Sequence, residues 1–171
     1  MRAKTETEIR HSLSPEHRLV ARGLRLPQVP AAAGNFDLGS IDGTTLYLSG
    51  QGPLLEDGNL ARGKVGRDVS VKDARYHAMR TGLVLISAMK EILGSLEYVH
   101  QIHKLFGMVN AVPDFTEHPE VINGCSDLFC DIFGVCGRHA RAAVGMCSLP
   151  GNISVEIEAI VSISPEWNLP S

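Results

Sequence analysis

From Val155 the apolar residues fall at 155, 157, 159, 161 and 163, with Glu156 and Glu158 among the positions between them. A period of two predicts a half-buried strand, and it sets the two carboxylates on the opposite face, roughly 7 Å apart. The preceding stretch from Gly137 to Met146 reads as another strand, in which Arg141 stands among Ala140, Ala142, Ala143 and Gly145. Pro150-Gly151-Asn152 lies between the two, and local turn chemistry predicts a hairpin there.

Further upstream the period lengthens. Ser70 followed by Asp73 has the spacing of a helix-capping pair, and Val71, Ala74, Ala78, Leu85, Met89 and Ile92 then form one helical stripe up to Gly94. Pro119 opens a second helix with the stripe Ile122, Cys125, Phe129 and Ile132, capped by Gly134. Thr44–Ser49 predicts a short strand stopped by Gly50-Gln51-Gly52-Pro53, and Leu54 to Gly66 a polar loop. Val99–Val112, dense in apolar residues and ended by Pro113, predicts a central strand. Nearer the N-terminus, Pro15–Leu24 predicts a short helix ended by Gly23 and Pro27, and Gln28–Gly34 an extended connector. The order of elements implies an α/β sandwich, with helices on one face of a sheet.

At 171 residues the chain suits one domain with a real core. Residues 1–33 read as an N-terminal arm packed on the surface or on a neighbouring subunit, 34–164 as the domain, and 165–171 as a tail. Sixteen Lys and Arg against nineteen Asp and Glu leave a net charge of −3, with few aromatics. That argues against nucleic acid as a partner. The four cysteines, Cys125, Cys130, Cys136 and Cys147, form no C-x-x-C pair and read as buried reduced thiols. No apolar run is long enough to span a membrane. The N-terminus lacks a signal-peptide core, and its glutamates argue against a transit peptide, so the expected location is cytoplasmic.

The chemistry centres on the last two strands. An arginine among small residues has room to take a carboxylate bidentately. Two carboxyls on one strand face resist joint ionisation, so one is expected to have a raised pKa and act in proton transfer. The bland alternative is a surface ion-pair ladder. His139 shares a strand face with Arg141, and the pair is a candidate anion site. His100 and His103, three apart on a strand, are expected to face opposite ways and to hold no common metal. Neither a metal nor a cofactor is called for.

Leu48-Ser49-Gly50-Gln51-Gly52-Pro53, Asn123, Ala140-Arg141, and Leu149-Pro150 followed by Val155-Glu156-Ile157-Glu158-Ala159 occur in this order. Together they resemble the Rid/YjgF family, in its longer branch labelled endoribonuclease L-PSP-like or chorismate mutase-like. The resemblance covers roughly residues 34–163. It implies an α+β fold, a single mixed sheet backed by two helices, assembled as a homotrimer with clefts between subunits. It also implies that the last two strands are parted by the central one, against the hairpin reading, and the resemblance is preferred. The family's best-studied branch hydrolyses enamine and imine products of amino-acid dehydration to 2-keto acids and ammonia. By that resemblance Arg141 grips the substrate carboxylate and Glu156 positions water and a proton, both as catalytic residues. Ser49, Gly50, Asn123 and Phe36 are the matching substrate-binding positions. Phe36 stands where the family commonly has tyrosine, so a phenolic hydroxyl is missing. Ala143 stands where a cysteine is frequent, and Thr116–Val121 is longer than in the short branch.

Three functions follow in order of preference. The first is a hydrolase, or deaminase, of imines and enamines that carry a carboxylate. The second is a non-catalytic trimeric binder of small carboxylic acids, and the third a ribonuclease.

Overall fold

The computed structural model describes residues 13–29 and 34–167. Expectations for 1–12, 30–33 and 168–171 fall outside the described residues. The elements are α1 (Pro15–Ala21), β1 (Gly39–Asp42), β2 (Thr45–Gln51), α2 (Val71–Leu93), β3 (Val99–Asn110), α3 (His118–Phe133), β4 (Ala140–Met146) and β5 (Val155–Ile163).

Both long helices begin and end where their local signals stand. Ser70 Oγ accepts the Asp73 amide at the start of α2, Pro119 lies in the first turn of α3, and Gly94 and Gly134 close the helices with positive φ. The α2 stripe is broader than predicted. Thr81 to Ile86 are all buried, because α2 packs against the sheet, α3 and the arm at once. A Cβ at Gly124 would overlap the carbonyl oxygen of Arg75, so glycine permits this close crossing of α3 over α2.

The five strands form one sheet in the order β1-β2-β5-β3-β4. All neighbours pair antiparallel except β3 and β4, which run parallel with α3 as their crossover. The hairpin reading of the last two strands is therefore corrected: β3 lies between β4 and β5. Gly151 and Asn152 do take the positive φ angles their turn chemistry requires. The chain beyond them turns to bridge Arg62 through Ile153, rather than back along β4.

Two further differences concern strands. The short β1 is not among the elements expected from the sequence; it pairs with β2 across Gly43-Thr44, where Gly43 takes a positive φ. In β3, register shifts at His100 and His103 each insert a residue, so Val99, Ile102 and Leu105 are buried at a spacing of three. Both histidines are exposed, and strict alternation does not assign their faces.

The arm residues 13–29 pack on the chain's own helix layer. Leu19 is buried, Arg22 pairs with Asp131 at 2.9 Å, Glu16 accepts the Leu96 amide at 2.8 Å, and Ser87 Oγ donates to the Pro27 carbonyl at 2.6 Å. Cys125 is buried, whereas Cys130, Cys136 and Cys147 are exposed, so the expectation of four buried thiols holds for one. Among the described residues no helix is long and apolar enough to cross a membrane.

Candidate active site

Register assigns each candidate to a face. Leu48, Ala159, Leu105 and Arg141 form one row across β2, β5, β3 and β4. The first three are buried under the helices, so Arg141 points to the helix side at the sheet edge. Glu156 aligns with Met108 and, through it, with Val144, on the open face. Arg141 and Glu156 of one chain thus stand on opposite faces, two strands and three residues apart, roughly 14 Å between their Cα atoms. The chain does not bring its two principal candidates together.

Each has its own companions. Arg141 is half-buried against α3, where its Nη1 donates to Asn123 Oδ1 at 2.8 Å and to Ser126 Oγ at 3.0 Å. Both bonds use the same nitrogen, and neither Nε nor Nη2 donates to any described acceptor. That leaves the outer edge of the guanidinium as a free fork, the geometry that suits a carboxylate. Asn123 is held in turn by its Nδ2 donating to Glu120 at 3.1 Å, and Glu120 pairs with Arg75. Hydrogen bonds from Arg75 first, then Asn123, hold the Glu120 carboxyl below its ordinary pKa.

His139 does not share an anion with Arg141. Its ring lies between the Gly137 carbonyl, 2.6 Å from Nδ1, and Ser126 Oγ, 3.0 Å from Nε2. Burial, opposed by the Gly137 hydrogen bond and aided by the Arg141 charge, pushes its pKa down. Ser126 was not singled out from sequence; its position one helical turn after Asn123, on the same α3 face, was the available signal.

Glu156 belongs to the other cluster. Between Leu48 and Gln51 the β2 register slips against β5, and Ser49-Gly50 form the bulge. A Cβ at Gly50 would overlap Glu156 Oε1, so the carboxyl lies over the bare bulge. Ser49 Oγ donates to the Asp37 carbonyl at 2.7 Å and its amide to Leu38, which ties the segment carrying Phe36 to the same bulge. Phe36 itself is half exposed, at 50 %. Burial raises the pKa of Glu156, and the neighbouring Glu158 charge raises it further. The expected shift is present, with desolvation and not like-charge repulsion as the larger cause.

One chain therefore carries two separate candidate clusters: Arg141 with Asn123, and Glu156 with Ser49, Gly50 and the Phe36 segment. A cleft of about 900 Å³ between the arm and residues 54–58 is lined by Arg80 and Leu83 and includes neither group. Among the described residues no three His, Cys, Asp or Glu side chains converge as metal ligands.

Comparisons with known proteins agree with this architecture. Residues 16–159 match the family described as "YjgF/chorismate_mutase-like, putative endoribonuclease". The chain is 38% identical over 143 residues to Protein TCP17 of Trypanosoma cruzi, covering 83% of this chain and 89% of that protein. A crystal structure of a "putative endoribonuclease" from Shewanella oneidensis MR-1 superposes with a TM-score of 0.85 at 37% identity, over 88% of this chain and 99% of that one. Protein Atu1372 of Agrobacterium tumefaciens, whose function is unknown, superposes with a TM-score of 0.80 at 45% identity, over 88% and 93% of the two chains. The chain belongs to the YjgF/chorismate mutase-like family, the Rid/YjgF family, and has its fold.

Proposed function

We propose that the protein is a homotrimeric hydrolase of imines and enamines that carry a carboxylate, with each site assembled between two copies. Family membership supports small-molecule processing in general. The observation that carries the finer reading is the division of the site. A carboxylate fork with a free edge and a carboxyl of raised pKa over a glycine bulge sit on opposite faces of one sheet, each incomplete. A neighbouring copy that laid its β4 edge against this chain's open face would join them.

The open face supports such an assembly. Tyr47, Phe106, Met108, Ala142, Val144 and Ile160 stand on it, none fully buried and Tyr47 47 % exposed. Closed rings are common ways to cover such faces. Light scattering is expected to give about 55 kDa, three chains of 18.5 kDa; a stable monomer at micromolar concentration would refute the assembly.

In the assembled site Arg141 of one copy holds the substrate carboxylate. Neutral Glu156 of the other gives its proton to the imine nitrogen and, as carboxylate, takes one from the attacking water. Water's oxygen bonds to the imine carbon. Glu156, protonated again by that water, passes the proton to the amine nitrogen and takes the hydroxyl proton as the C–N bond breaks. Ammonia leaves, the 2-keto acid remains and the carboxyl is neutral once more. An enamine is protonated on carbon first and follows the same course. The raised pKa of Glu156 favours the protonated form from which this alternation starts. Hydrolysis of freshly generated 2-aminoacrylate, compared with and without the protein, tests the activity. Acceleration supports it, and the buffer rate with tight 2-keto acid binding would leave a carboxylate binder instead.

A further inference from the structure

Arg141 could use its five donors in many ways, yet both its protein bonds come from Nη1. The cause lies in a chain of groups behind it. A carbonyl oxygen only accepts, so the 2.6 Å contact with Gly137 puts the proton of a neutral His139 ring on Nδ1. Nε2 is then an acceptor, and Ser126, 3.0 Å away, turns its hydroxyl hydrogen toward it. The Ser126 oxygen is left with its lone pairs outward, and one of them takes Arg141 Nη1. Each bond then has one direction, and the chain is polarised from guanidinium to carbonyl.

We propose that Ser126 and His139 are positioning residues that aim Arg141, and that the aim is kept only while His139 is neutral. This rests on the reading of Arg141 as the carboxylate anchor. With Nη1 fixed by Ser126 and Asn123, the Nε–Nη2 edge stays free for the ligand. Protonation of His139 turns Nε2 into a donor, so Ser126 Oγ must accept from both neighbours. It also sets a second positive charge beside the guanidinium.

Few other groups contend for the ring. α3 presents Ser126 and the edge of Phe129, the 3-10 turn Gly134–Gly137 presents a carbonyl, and β4 presents Arg141, the charged group that acts on it. The Gly137 carbonyl also accepts from the Cys130 thiol at 3.8 Å; Asp127 and Asp131, the acids that act on Cys130, pair with Arg75 and Arg22. Burial pushes the His139 pKa down and so favours the neutral ring.

The test is calorimetric binding of 2-ketobutyrate by the assembled protein from pH 8 to 5, in a Glu156→Gln background so that Glu156 does not titrate. The keto acid stays ionised throughout. Ser126→Ala should weaken binding about tenfold at pH 7.5, and Ser126→Thr should restore most of it. The Ser126-intact protein should lose affinity as pH falls past the ordinary histidine range, and His139→Gln should remove that loss. Removing one hydroxyl oxygen from Ser126 leaves no steric conflict, so the alanine variant reports on the hydrogen bond. Ser126→Ala binding within twofold of its parent, with an unchanged pH profile, would overturn the relay. If Arg141→Lys also binds normally, the anchor itself is wrong; if Arg141→Lys fails while Ser126→Ala does not, only the relay is.

Discussion

Replacing Arg141 by lysine isolates the fork while keeping the charge. In the structure Nη1 serves Asn123 and Ser126, at 2.8 and 3.0 Å, and leaves two further N–H directions for a carboxylate. An ammonium has three donors on one atom. If two of them keep Asn123 and Ser126, only one remains for the ligand, and a parallel pair of charged bonds becomes a single one. The loss is one hydrogen bond to a charged group, about 2 kcal/mol. That is roughly a 30-fold rise in Kd. Calorimetry with 2-ketobutyrate reads it directly, with light scattering to confirm that the assembly is intact. Equal affinity of the two proteins would show that the arginine serves α3 and not a ligand.

The remaining predictions concern the carboxyl. Glu156→Gln should lower turnover of 2-aminoacrylate by roughly 10²-fold or more while changing 2-ketobutyrate affinity little, since it removes proton transfer and not the anchor; equal rates would end the enzyme reading. Glu158→Gln should act through its neighbour, because Glu158 is the smaller of the two causes that raise Glu156. Activity that needs neutral Glu156 falls as pH rises through its pKa, so in this variant the falling limb should move to lower pH; an unmoved limb would refute the coupling. Stability follows the same sign. A carboxyl whose folded pKa is raised favours the fold below the ordinary 4.5 and loses that advantage as pH rises through the folded value. Glu156→Gln should therefore melt higher than wild type at pH 8 and alike near pH 4, as scanning calorimetry would show.

The helices were legible because their determinants are local. Ser70, Pro119, Gly94 and Gly134 each act within a turn of where they stand. Strand pairing was not, because it is decided by residues far apart in sequence. Gly151-Asn152 adopt hairpin-like angles, yet β5 pairs with β2 and β3, and no short-range pattern shows the order. The same limit applies to the site. Arg141 and Glu156 could be picked out by residue type and by motif. Their faces depend on the register of β3 against both neighbours, which alternation within either strand does not contain. Ser126 was silent for another reason: a helical serine gains meaning only once β4 lies beside α3.

As proposed, a working site takes Arg141 from one copy and Glu156 from another. Arg141→Ala and Glu156→Gln each remove one half, and each variant alone should be inactive toward 2-aminoacrylate. Co-expressed in equal amounts and assembled at random, they should recover about a quarter of wild-type activity, because one site in four then joins an intact arginine to an intact glutamate across a cyclic interface. Mixed assemblies as inactive as the separate variants would refute the shared site and place both groups in a single chain.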